Sequence, residues 1–146
     1  MFDNTHIMKD DGAVTATGYA EVDAVAKSVN IGAGLVRLNV IFNITVIKCS
    51  VADEVYTLSL MGGSDAAFTK TVSLCSKELG AGAVLQGNQD SKISRIVLAA
   101  QNEQGGVIYP YLRVRYVISG TLPNINFTAI LHQDQPKLGW TTFATT

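Results

Sequence analysis

At 146 residues and 15.6 kDa the chain has the length of one domain and one core. It is 47% hydrophobic and only 16% charged, where soluble domains usually carry about 25% charged residues, so part of its surface is expected to face another protein. A formal charge of −1 excludes a general electrostatic pull toward nucleic acid or an acidic membrane surface. Arg37, Asn39 and Asn43 interrupt the longest apolar stretch, which therefore falls short of the roughly 18 residues of a membrane-spanning helix.

Met1 to Gly12 is polar, carries Asp3, Asp10 and Asp11, and lacks the basic and apolar regions of a secretory signal. It reads as an N-terminal arm, and synthesis in a cytoplasm is expected. From Val36 to Ile47 the residues alternate with period two: Val36, Leu38, Val40, Phe42, Ile44 and Val46 share one face. This predicts a long strand. Its other face turns apolar at Ile41 and Ile47, so its second half is expected to be covered. Ser50 to Glu54 reads as a polar turn, and Val55 to Met61 as a strand ending at Gly62 and Gly63. Thr69 to Cys75 reads as a short strand with Val72 and Leu74 on one side. The glycine-interrupted stretch from Leu79 to Asn88 reads as a loop. Cys49 and Cys75 form no disulfide framework and are expected to be free, partly buried thiols.

Ser91 to Ala100 fits one turn of helix almost as well as a strand, with its flanking polar loops favouring the strand, and Gly105 with Gly106 reads as a turn. A second long strand follows, with Leu112, Val114, Tyr116 and Ile118 inward and Pro110 at its start, because proline donates nothing to a ladder. After the turn from Ser119 to Asn124, Ile125, Phe127, Ala129 and Leu131 alternate in a last strand, which is expected to pair with the preceding one as a hairpin. Short strands with regular turns and no amphipathic helix predict an all-β fold: an antiparallel β-sandwich over residues 13–132, flanked by extended arms at 1–12 and 133–146. Within the C-terminal tail, Trp140 is large enough that it is expected to pack on its own domain or on a neighbour.

Signatures of catalysis are missing: there is no G-x-S-x-G, no phosphate-cradling glycine loop and no H-E-x-x-H. His132 stands near Asp134, an arrangement that could orient a base, but a satisfied surface histidine at a strand end is the commoner case. No enzyme, cofactor or metal site is expected, since the two cysteines and two histidines lack ligand spacing. What does stand out is a stripe. Tyr109, Tyr111, Arg113, Arg115 and Val117 fall at one parity, and tyrosine and arginine are enriched in interface hot spots. Ordinary cross-strand pairing on an exposed face is the plainer alternative, and stacking of the tyrosines or Trp140 on sugar rings would make a glycan-binding module.

Four features in order resemble a family of small tailed-phage capsid cement, or decoration, proteins. They are Met1-Phe2-Asp3 followed by Ala13-Val14-Thr15-Ala16-Thr17; Asn30-Ile31-Gly32-Ala33-Gly34 before the long apolar strand; Tyr109-Pro110-Tyr111-Leu112-Arg113 leading to Tyr116; and Gly120-Thr121-Leu122-Pro123 with Phe127-Thr128-Ala129. Each is short and weak alone, and together they span nearly the whole chain. The resemblance implies a jelly-roll-like domain that self-associates as a homodimer or homotrimer, sits on the outer capsid surface of the virion and bridges major capsid protein subunits. It implies no contact with nucleic acid or membrane, and it transfers no catalytic residues. The interface residues are therefore chosen on their chemistry: Tyr109, Tyr111, Arg113 and Arg115 as one surface, with Trp140 and Phe143 reaching a neighbour. The tail from Leu138 to Thr146 departs from the family pattern.

Overall fold

The computed structural model describes residues 7–48, 53–80 and 95–133. Eight strands organise them: β1 (Ile7–Lys9), β2 (Gly18–Tyr19), β3 (Arg37–Ile47), β4 (Val55–Gly63), β5 (Thr71–Gly80), β6 (Arg95–Gln101), β7 (Tyr111–Ser119) and β8 (Ile125–Gln133). One sheet runs β1–β8–β3–β6, with Ala13–Val14 also paired to β8; the other runs β2–β7–β4–β5, with Val29–Asn30 also paired to β7. Every pairing in them is antiparallel. No helix occurs among the described residues. The all-β antiparallel sandwich expected from period-two alternation is the fold.

The two sheets bury their alternating sets against each other. Leu38, Val40, Phe42 and Ile44 of β3 and Ile125, Phe127, Ala129 and Leu131 of β8 meet Tyr56, Leu58 and Leu60 of β4 and Leu112, Val114, Tyr116 and Ile118 of β7. Phe127 is central, edge-on to Phe42 and to Tyr116 with ring centroids 5.9 Å apart in each case. Burying a side chain of this size contributes about 1.5–3 kcal/mol, and edge-on ring pairs add to it.

The expected hairpin of the last two long strands does not form. β7 and β8 lie in different sheets, facing each other across the core, and Gly120 to Asn124 arches from one sheet to the other. Gly120 makes the arch possible: its φ is +117°, and a Cβ there would lie 2.6 Å from the Glu54 Cα. The arch is tied to the residues that follow β3 and precede β4: Thr121 donates to Asp53 from its amide (3.1 Å) and its hydroxyl (2.5 Å), and the Lys48 amide donates to the Asn124 carbonyl at 2.9 Å.

The alternation of β3 also departs from expectation at its end. Val46 is 41% exposed and Ile47 is fully buried. Asn126 pairs with Val46 but Phe127 pairs with Ile44, so Thr45 is an extra residue, a bulge that turns the following side chains to the opposite faces. Leu79 and Gly80, read as loop, are the buried end of β5. Residues 7–12, read within an arm, include β1, whose Met8 is fully buried. Lys9 beside it is buried too, its Nζ donating to the carbonyls of Asp10, Gly12 and Phe127 at 3.0, 2.8 and 2.8 Å. Asn102, also fully buried, holds the approach to β3 by accepting the Val36 amide at 2.7 Å and donating to the Gly34 carbonyl at 2.9 Å.

Candidate protein interface

The outward-facing residues of the second sheet are set by register. Arg115 of β7 lies between Tyr19 of β2 and Ser59 of β4, and Arg113 lies beside Met61. Tyr111, next along, pairs with Asn30 on one side and Gly63 on the other. The alternation expected for Tyr111, Arg113 and Arg115 is therefore present, and the three are half-buried on one face.

Two aromatic residues that sequence reasoning did not single out complete the arrangement. The guanidinium of Arg113 lies 3.6 Å from the Tyr19 ring centroid and 4.0 Å from that of Phe68, so it is stacked between two rings, and Arg115 is 5.8 Å from Tyr19. Such stacking holds the guanidinium plane at about 0.5–2 kcal/mol per ring. The Nε of Arg113 is buried and has no hydrogen-bond partner. Among the described residues no carboxylate pairs with either guanidinium.

Phe68 reaches this position because the loop after β4 is folded back. The Asp65 carboxylate accepts the amides of Ala67 (3.1 Å) and Thr69 (3.0 Å), and Phe68 takes a left-handed φ of +55° while its amide donates to the Asp65 carbonyl at 2.9 Å. The Thr69 amide above all holds the Asp65 carboxyl below the usual carboxylate range. The ring then lies flat on Gly63, where a Cβ would come within 2.2 Å of it, and meets Tyr111 edge-on at 6.5 Å. A glycine followed by a short acidic loop and an aromatic residue was the available signal for Phe68; the partner of Tyr19 depended on strand pairing across 96 residues of chain and was not readable.

Tyr109 does not belong to this face. It is 9% exposed and lies against the inner side of Gly62, where a Cβ would meet the Tyr109 Cβ at 2.9 Å and Leu74 at 3.2 Å. The ladder begins only at Tyr111, so the parity of the strand does not extend back through Pro110. Trp140 and Phe143 lie outside the described residues, as do the arm residues 1–6, Cys49 and Asp134. His132 is exposed near the end of β8, opposite Asn39. Cys75 is a free, half-buried thiol whose pKa burial pushes up. No cluster of metal-ligating side chains occurs among the described residues.

No protein-family model matches this chain, and no curated protein matches it.

Proposed function

We propose that this chain is a structural protein of the tailed-phage capsid cement class, a jelly roll that binds the outer surface of the head and bridges major capsid subunits. The observation that carries the reading is the strand order. With the eight strands defined above numbered along the chain, and Ala13–Val14 and Val29–Asn30 as a fifth strand in each sheet, the order 1-8-3-6 and 2-7-4-5 is compatible with the double-sheet jelly roll of viral capsid and lectin domains. Fold alone does not fix function, so the second support is the surface: a stacked arginine without an acidic partner among the described residues, flanked by Tyr111, Tyr19 and Arg115 on one sheet face. Such a face suits a protein partner that supplies carboxylates, since arginine pairs with them bidentately and charged pairs desolvated at an interface hold register. Many such weak contacts made at once would add by effective concentration.

The glycan-binding reading asks for free aromatic ring faces. Tyr109 is turned inward, and the Tyr19 and Phe68 rings already hold Arg113, which favours the structural role. Cryo-electron microscopy of purified source particles tests it. Stoichiometric density for this chain bridging capsid subunits is the expected result, and absence of the chain from particles would overturn the reading.

A further inference from the structure

On one flank of the sandwich each sheet ends in an edge strand, β6 in one and β5 in the other, and among the described residues no further strand pairs with either. The inward-facing side chains are less well covered here than elsewhere. Leu38, Val40 and Phe42 of β3 are at most 4% exposed, whereas their partners on β6, Ala100, Leu98 and Ile96, are only half-buried, as are Val72 and Leu74 of β5. At one end of this flank lies an open groove of about 420 Å³, lined among others by Leu38, Leu74 and Ala100. Ala100 carries a methyl group where Leu98 and Ile96 carry larger side chains, which leaves the space between the sheets unfilled.

The chain itself supplies an occupant of the right length and composition. β8 ends at Gln133, which pairs with Leu38, and Leu38 pairs in turn with Ala100. The tail therefore sets out about two strand spacings, roughly 10 Å, from Ala100. Pro136 cannot continue the β8 ladder. The seven residues from Gln133 to Trp140 span up to about 23 Å when extended, more than the crossing needs. Leu138 and Trp140 stand two apart, so an extended chain turns both to one side. Residues 81–94, which join β5 to β6, are less well placed. They are attached at Gly80 and Arg95, six residues from Leu74 and five from Ala100, at the opposite end of the flank.

We infer that the groove between β5 and β6 is the seat of this chain's own C-terminal segment, with Trp140 over Ala100 and against Leu74, and Leu138 on the same side. The driving force is removal of apolar surface from water: the indole covers side chains that the two sheets leave half-exposed, and it fills a space that no other described residue enters. Covering an open sheet edge with the chain's own segment also keeps that edge from pairing with other molecules. This arrangement does not depend on the capsid reading.

Trp140 is the single tryptophan, so tryptophan fluorescence of the full chain reads the arrangement directly. The wild type is expected to show blue-shifted emission and a several-fold lower acrylamide quenching constant than a solvated tryptophan, both unchanged on dilution. Ala100→Phe, which fills the groove, is expected to move the emission to that of a solvated indole and to abolish the protection, with an unchanged circular-dichroism spectrum. Nuclear Overhauser contacts from the indole to Leu74 and Ala100 in the wild type are the second readout, and they serve if Ala100→Phe fails to fold. Solvated emission in the wild type, or protection that survives in folded Ala100→Phe, overturns the inference. So does protection lost on dilution, which would put the segment on a second copy, and so do contacts to Leu74 from Leu85 in place of Trp140.

Discussion

The Tyr56 hydroxyl accepts the backbone N–H of Asn124 at 2.9 Å, so the arch that carries the chain from β7 to β8 is fastened to β4 in the opposite sheet. The same hydroxyl donates to the Lys48 carbonyl at 2.5 Å, which fastens the residue after β3 as well. Tyr56→Phe keeps the fully buried ring and leaves these backbone groups without their partner, an expected cost of about 1–3 kcal/mol. Urea denaturation is the measurement: the midpoint falls and the m-value is unchanged.

Asn102 makes the same kind of link at the other end of the sandwich. Its side chain satisfies the Val36 amide and the Gly34 carbonyl, and its own carbonyl accepts the Tyr109 amide at 2.7 Å. Asn102→Ala is expected to destabilise by about 2–4 kcal/mol, since a buried donor loses its acceptor and a cavity remains. Thermal unfolding reads this loss, and hydrogen exchange at Val36 is expected to accelerate.

Gly63 is required by the ring that covers it. Gly63→Ala puts a methyl group where Phe68 now lies, so Phe68 must leave and Arg113 loses one of its two stacking partners. The expected destabilisation is about 1–3 kcal/mol. Chemical shifts of the Arg113 side chain are expected to move toward those of a solvated arginine, a change that Gly12→Ala, with open space around its Cβ position, does not produce.

Asp53 and Asp65 are expected to contribute to the loss of stability in acid. Thr121, through its hydroxyl and then its amide, holds the Asp53 carboxyl below its ordinary value, and Thr69 does the same for Asp65. A carboxyl whose folded pKa is depressed contributes stability above its unfolded pKa of about 3.9 and loses it as pH falls through the folded value. Melting temperatures measured from neutral pH downward are therefore expected to drop below about pH 4. Asp53→Asn and Asp65→Asn are expected to lie lower than wild type at neutral pH and to converge with it in acid.

What the residues of this chain determined by themselves is local. Period-two alternation marked β7 and β8 and the inward set of each, because side-chain direction follows from backbone geometry alone. The same rule put Tyr111, Arg113 and Arg115 on one outer face. It failed at Thr45, where the bulge shifts the phase of β3, and at Tyr109, which precedes the ladder; both depend on what the neighbouring strand does.

Only the tertiary structure decided which sheet each strand joins. Five residues between β7 and β8 suit a hairpin as well as an arch, and the choice rests on contacts that the local sequence does not contain: Gly120 against Glu54, Thr121 on Asp53, Asn124 on Tyr56. The stack of Arg113 between Tyr19 and Phe68 joins residues distant in the chain for the same reason.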